Sequence, residues 1–196
     1  MTGLEPFTVL REEPGEVAAL PSGLRRLYGG DLGLPERCLY ANFVATLDGV
    51  VAILTASGSI PPDHPVLGDG ALVLTTEPGA ARLSGRLPGE AEIAVLPGEA
   101  EVDVRAAVAL LHRRGHRRIL SEAGPHVFGS LVEADLVDAL FLTVSPLIAG
   151  RGSTGSYGLV EGVALLPDRA AEARLRSIRL HGSHLFLHYA LRPAAA

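Results

Sequence analysis

Short apolar runs, separated by polar and glycine-rich segments, dominate the middle of the chain. Runs of this length are typical of strands that are covered on both faces of a sheet. They predict five strands, at Leu39–Leu47, Ala71–Thr75, Ala91–Leu96, Arg118–Ser121 and Ala139–Ser145. Apolar residues continue through Val50–Leu54, whereas glycine and proline make Ser57–Gly70 a predicted loop.

A different spacing predicts helices between these strands. Apolar residues recur at helical intervals through Val104–Leu111, directly after Asp103, a residue type that often caps a helix start. Gly115 is suited to follow the end of this helix. A second helix is predicted over His126–Glu133 and a short one within Val17–Leu27.

The end of the chain alternates apolar and polar residues. Leu175–Leu180 and Leu185–Leu191 flank a short turn, which predicts an antiparallel hairpin. Strands that alternate with helices, followed by a hairpin, predict an α/β domain with a mixed, mostly parallel sheet flanked by helices. We expect the five strands to share one sheet, residues 1–38 to form a lead-in segment and residues 39–192 to form the domain.

The composition of the 196-residue chain excludes several classes of protein. A net charge of -5 offers no basic footprint for nucleic acid, and no apolar run approaches the roughly 18 residues of a membrane span. Residues 1–13 carry acids and no apolar run, so a cytoplasmic protein without a secretory signal is the simplest interpretation. All 17 basic residues are arginine, which excludes lysine chemistry, and the single Cys38 excludes an internal disulfide framework.

The best local signal for chemistry follows the strand predicted at Arg118–Ser121. Glu122 ends that strand, and a small-residue turn at Gly124 opens the next helix. Free backbone N–H groups at a helix start attract phosphate, and ligands of open α/β sheets bind beyond the carboxyl ends of strands. A tight turn with a surface glutamate explains the same residues, and the pattern alone leaves both interpretations open.

A second carboxylate, Asp48, follows the strand predicted at Leu39–Leu47. If it lies beside Glu122, it could bind a polar substrate or transfer a proton. Taken alone, the Asp48-Gly49 pair is more often an ordinary turn.

Two further patterns are weaker. Gly150–Gly155 has the G-x-G-x-x-G spacing of a dinucleotide-binding fingerprint, but no clear helix follows it, so a loop is favoured. His181, His184 and His188 cluster around the predicted hairpin, but no carboxylate joins them. Surface histidines are therefore favoured over a metal site, and no metal is expected.

Three motifs occur in order: Ala45–Gly49, Ser121–Pro125 and Leu136–Gly150. Together they resemble the reductase domain of the bacterial riboflavin-biosynthesis deaminase/reductase, which has a dihydrofolate-reductase-like fold. The resemblance covers most of residues 39–191. Members of that family use NADPH to reduce the ribose of an aminouracil ribosyl phosphate to the open ribityl chain.

The resemblance implies roles for particular residues. Asp48 would lie near the reacting centre and Glu122 would contact the substrate, which makes both candidate catalytic residues. The residues implied to contact NADPH are Ala45, Thr46, Gly124, Pro125, His126, Val127, Phe128, Gly129 and Ser130. We expect the backbone N–H groups from Gly124 to Phe128 to face the cofactor phosphates. The resemblance also implies a small-molecule substrate and a homodimer.

The chain departs from the family in one segment. Family members place a helix and an inner strand before the strand matched by Ala71–Thr75, whereas here Ser59-Ile60 runs almost directly into Pro61-Pro62. The resemblance implies an NADPH-dependent oxidoreductase that reduces a pyrimidine- or pterin-like substrate, similar to 5-amino-6-(5-phosphoribosylamino)uracil reductase. The alternative hypothesis is a non-catalytic nucleotide-binding or scaffold protein that kept the fold and lost part of the site.

Overall fold

The structure, a computed structural model, describes residues 6–13, 22–30, 34–42, 50–148, 158–167 and 170–191. The strands in these ranges are β1 (Thr8–Glu12), β2 (Cys38–Asn42), β3 (Ala52–Thr55), β4 (Leu72–Thr75), β5 (Glu92–Val95), β6 (Arg118–Ser121), β7 (Ala139–Val144), β8 (Arg174–His181) and β9 (His184–Ala190). The helices are α1 (Ser22–Tyr28), α2 (Pro65–Gly68), α3 (Glu77–Leu83), α4 (Val104–Arg113) and α5 (Pro125–Glu133).

The chain divides into two compact units. The first unit, residues 1–45 and 116–196, contains a six-stranded sheet of order β1-β8-β9-β7-β2-β6. Within it β7, β2 and β6 are parallel, whereas β1, β8, β9 and β7 pair antiparallel. The second unit, residues 46–115, contains a parallel three-stranded sheet of order β3-β4-β5. Parallel and antiparallel strands combined with helices confirm the predicted α/β fold class with its terminal hairpin.

The expectation that the five predicted strands share one sheet is wrong for the described residues. β2, β6 and β7 lie in the six-stranded sheet, whereas β4 and β5 pair with β3 in the other one. An apolar run indicates that a segment is a strand, but its partner is chosen by contacts far away in sequence. Here β3 supplies β4 with a parallel neighbour, with Ile53 opposite Val73. The division into residues 1–38 and 39–192 stays a prediction.

Locally encoded elements lie where the sequence predicts them. At the start of α4, the Oδ1 atom of Asp103 accepts hydrogen bonds from the N–H groups of Arg105 (2.8 Å) and Ala106 (3.1 Å). Leu111 is buried, and Gly115 follows the helix with a φ of +92°. Since such a φ costs a glycine little, this residue suits the end of a helix.

Four elements were not predicted, among them β3, which overlaps the apolar stretch Val50–Leu54. β1 is an exposed edge strand in the lead-in segment, and α2 lies inside the predicted loop. α3 begins at the N-cap Thr76, whose hydroxyl accepts from the Gly79 N–H (3.3 Å) and donates to the Ala56 carbonyl (2.8 Å). A Cβ atom at Gly79 would stand 2.5 Å from that carbonyl oxygen, so the close approach requires glycine.

The two units have different interiors. In the second unit, all four residues of β4 are buried, and Val73 packs with Leu67 and Leu83. Of the described polar residues, the first unit buries Ser177, Arg179 and His188, whereas the second unit buries Thr75 and Thr76. None of the helices in the described ranges has the length and apolar character needed to cross a membrane.

Candidate functional site

The carboxyl ends of three parallel strands meet at one edge of the six-stranded sheet. β2, β6 and β7 run in the same direction, with Ala41 opposite both Ser121 and Leu140. In open α/β sheets, ligands bind beyond this edge. Glu122 follows β6 directly and is exposed there, so its carboxylate is available to a polar ligand.

Tyr40, on β2, is a neighbour of Glu122 that sequence reasoning missed. Burial raises the pKa of its phenol, Cys38 and Glu122 raise it further, and the positive charge of Arg118 opposes them. The hydroxyl therefore keeps its proton at neutral pH and can donate a hydrogen bond. The only sequence signal was its strand position, since Tyr40 pairs with Leu120 two residues before Glu122.

The turn at Gly124 leaves backbone donors available at the start of α5. Gly124 is the N-cap residue, with φ -65° and ψ 174°, and no side chain caps the helix. A Cβ atom at Gly124 would meet no other atom within 4 Å, so this position is open. The first N–H groups of a helix have no acceptor within it, which leaves those of His126 and Val127 for an external anion.

The predicted row of donors from Gly124 to Phe128 needs correction. Pro125 has no N–H group, and the N–H of Phe128 donates to the Gly124 carbonyl (3.0 Å) within the helix. Fewer backbone groups can therefore face a phosphate than the sequence suggested. The contacts of this stretch with a cofactor stay a prediction.

The last three residues of the stretch have structural contacts. The Phe128 side chain is 2% exposed and belongs to the core. A Cβ atom at Gly129 would stand 2.5 Å from the Glu161 carbonyl oxygen, which shows how closely another segment crosses the helix. We call this segment, residues 158–163, the strap. The Ser130 hydroxyl donates to the His126 carbonyl (3.2 Å), a bond within α5.

Several predicted residues lie outside the described part of the chain. They are Ala45, Thr46, Asp48 and the whole Gly150–Gly155 motif. Their roles, including the placing of Asp48 beside Glu122, stay predictions.

The three histidines of the hairpin have separate environments. His181 and His184 face each other across the hairpin turn. His188 is buried and stacks on Phe141, with ring centroids 4.4 Å apart. Among the described residues no group of three or more His, Cys, Asp or Glu side chains could hold a metal ion.

The sequence of the chain shows which protein family it belongs to. The sequence pattern of the RibD C-terminal domain family matches residues 36–185, three quarters of the chain. The chain belongs to this family. That match confirms the resemblance read from the three motifs. No curated protein shows significant sequence similarity to the chain.

Solved structures share the fold of this RibD C-terminal domain. One is a pyrimidine reductase-like protein from Corynebacterium diphtheriae, with TM-score 0.56 and 22% identity over 91% of this chain and 70% of that one. Another is a diaminohydroxyphosphoribosylaminopyrimidine deaminase/5-amino-6-(5-phosphoribosylamino)uracil reductase from Thermotoga maritima, with TM-score 0.59 and 16% identity over 80% of this chain and 46% of that one. A riboflavin biosynthesis reductase from Saccharomyces cerevisiae gives TM-score 0.53 and 15% identity, over 80% and 75%. The chain thus spans less than half of the Thermotoga protein.

Proposed function

We propose that the protein is an NADPH-dependent reductase of the riboflavin-biosynthesis type. Its substrate would be a pyrimidine- or pterin-like small molecule, of the 5-amino-6-(5-phosphoribosylamino)uracil class. Membership of the RibD C-terminal domain family supports a reductase, and so does the similarity in fold to a pyrimidine reductase-like protein and a riboflavin biosynthesis reductase. We extend the proposal to a homodimer in the cytoplasm.

The observation that carries this proposal is the uncapped start of α5. Gly124 offers no capping side chain and no steric obstacle, so the N–H groups of His126 and Val127 can bind a phosphate of NADPH. The residues present therefore fit a phosphorylated cofactor. When bound, NADPH supplies the hydride that reduces the substrate.

The side chains at the strand edge would orient the substrate. The exposed carboxylate of Glu122 can accept hydrogen bonds from ring or ribosyl groups, and the protonated Tyr40 phenol can donate one. Asp48 would act as the second orienting carboxylate, and Ala45 and Thr46 would contact the cofactor. Catalysis would depend mainly on positioning the two reacting carbons.

NADPH consumption with aminopyrimidine ribosyl phosphate and pterin substrates tests the proposal. Glu122→Gln and Asp48→Asn keep side-chain size and remove charge. We expect each to lower turnover roughly 100-fold while NADPH affinity stays nearly unchanged. Glu172→Gln, an exposed change in the same unit, is the control. Wild-type turnover in both site variants would remove these carboxylates from the mechanism.

A non-catalytic nucleotide-binding or scaffold protein is the second candidate. One observation favours it: the described strands separate into two sheets. This candidate predicts no NADPH consumption with any of these substrates.

A further inference from the structure

The strap holds its carboxylate, Glu161, against the start of α5. One oxygen of Glu161 accepts a hydrogen bond from the Gly158 N–H (2.9 Å), and the other lies 3.4 Å from Nε2 of His126. The Glu161 backbone N–H also donates to the Pro125 carbonyl (3.1 Å). The Glu161 side chain is 20% exposed against 73% for His126, so the carboxylate is the better anchored partner.

Two glycines allow the strap and the helix to approach closely. Besides the contact at Gly129, a Cβ atom at Gly162 would stand 2.8 Å from Nδ1 of His126, and Gly162 has a φ of +79°. The strap therefore lies close to both ring nitrogens of His126, to Nε2 through Glu161 and to Nδ1 at Gly162, where there is no room for a side chain. A side chain at Gly162 would displace the ring.

These contacts fix the same turn that carries the available donors. The Pro125 carbonyl accepts a hydrogen bond from the strap, and the His126 ring lies within 3.4 Å of the Glu161 carboxylate. Both contacts lie on the turn that carries the His126 and Val127 N–H groups, so they restrain the movement of this turn before any anion arrives. Backbone donors bind an anion well only when they already point at it, because otherwise binding must also order them.

We propose that Glu161 is a positioning residue for the phosphate-binding turn of α5, acting through His126 and the strap. This inference rests on the proposed function, because it concerns the same turn. Glu161 itself does not touch the cofactor. Its loss should therefore weaken NADPH binding and raise the KM for NADPH, with little effect on kcat once the cofactor is bound.

Two substitutions of Glu161 separate its position from its charge. Glu161→Ala removes the side-chain contacts with Gly158 and His126 but leaves the backbone bond to Pro125, so the fold should persist. Glu161→Gln keeps the size, the acceptor for Gly158 and a polar partner for His126. We expect NADPH affinity to fall about tenfold in Glu161→Ala and to stay within about threefold of wild type in Glu161→Gln.

A second variant makes the test independent of the first. His126→Ala removes the ring that the strap holds and keeps the backbone donor. It should weaken NADPH binding by a similar factor, and the double variant with Glu161→Ala should be no weaker than either single one, because both break one contact. Glu172→Ala, an exposed change elsewhere in the unit, should leave affinity at the wild-type value.

The measurements are NADPH titration by fluorescence and amide hydrogen exchange of the cofactor-free protein. Faster exchange in the strap and the first turn of α5 in Glu161→Ala, together with the affinity pattern above, supports the proposal. Wild-type NADPH affinity in Glu161→Ala overturns the proposal. If Glu161→Gln weakens NADPH binding as much as Glu161→Ala does, the proposal is also overturned, because the negative charge of Glu161 and not its position is then what matters. If the wild-type protein binds no NADPH, the proposed function fails. If amide hydrogen exchange is unchanged in Glu161→Ala, the Glu161 side chain does not hold the strap against α5.

Discussion

α4 and α5, two helices of similar length, begin in opposite ways. At α4, Asp103 accepts hydrogen bonds from the first free N–H groups, so this helix start is complete by itself. At α5, Gly124 provides no acceptor, and the corresponding N–H groups need one from outside. A helix start without a cap therefore indicates a ligand site where the adjacent strand edge also carries an exposed carboxylate, which here is Glu122.

The two units that contain these helices also differ in the side chains that they bury. β4 of the second unit buries three aliphatic residues and one threonine. The first unit buries Arg179, which is 1% exposed and donates to the Tyr28 carbonyl (2.8 Å), the Ser177 hydroxyl (2.7 Å) and Glu12 (2.6 Å). Among the described residues, the buried arginine and the buried histidine both lie in the first unit.

The largest expected effect concerns His188 in the first unit. Burial, reinforced by the positive charge of Arg179, lowers the pKa of His188 to about 4. An unfolded histidine has a pKa of about 6.5. Between pH 6.5 and 4 the unfolded chain therefore binds a proton at this residue, whereas the folded chain keeps the ring neutral. We expect this residue to reduce the free energy of unfolding by about 3 kcal/mol as the pH falls from 6.5 to 4.

Urea unfolding across this pH range measures the loss. His188→Gln should remove that part of the pH dependence, whereas His184→Gln, an exposed neighbour on the same strand, should not. Equal pH profiles for wild type and His188→Gln would show that His188 is not responsible.

The next effect tests the open helix start by closing it. Gly124 has a φ of -65°, which any residue adopts, and open space for a side chain. Gly124→Asp should cap α5 and repel phosphate, weakening NADPH binding at least ~tenfold, or ~1.4 kcal/mol. Gly124→Val should give a similar loss by steric obstruction. Gly89→Asp, at another open glycine, is the matched control. Unchanged affinity in folded Gly124 variants would mean that the phosphates bind elsewhere.

The smallest effect concerns the capped helix. Asp103→Ala should cost about 1 kcal/mol of stability, since two N–H groups of α4 lose their acceptor. NADPH affinity should not change. Asp103→Asn keeps the acceptor oxygen and should recover most of the stability in thermal unfolding. A large loss of NADPH affinity in Asp103→Ala would contradict the distinction between the two helix starts.

Features encoded by neighbouring residues could be predicted from the sequence. The cap at Asp103, the strand at Arg118–Ser121 and the turn at Gly124 each depend on a few adjacent residues. The hairpin follows from alternation around Gly182, and the family follows from three motifs in order.

Features that depend on distant partners could not be predicted. Arg179 is buried because Glu12 and Tyr28, more than 150 residues earlier, meet its guanidinium. The contact between Glu161 and His126 joins segments 35 residues apart, and neither residue has a sequence signal for it. The assignment of β4 and β5 to a separate sheet likewise depends on pairing, which apolar runs do not encode.

The most direct test of the central claim is the response of single backbone amides to NADPH. Amide resonances of His126 and Val127 report the open start of α5, and those of Arg105 and Ala106 report the capped start of α4. We expect NADPH titration to shift the first pair with saturating behaviour and to leave the second pair unchanged. Saturable NADPH binding that leaves His126 and Val127 unperturbed would contradict the assignment of the phosphate site to the turn at Gly124.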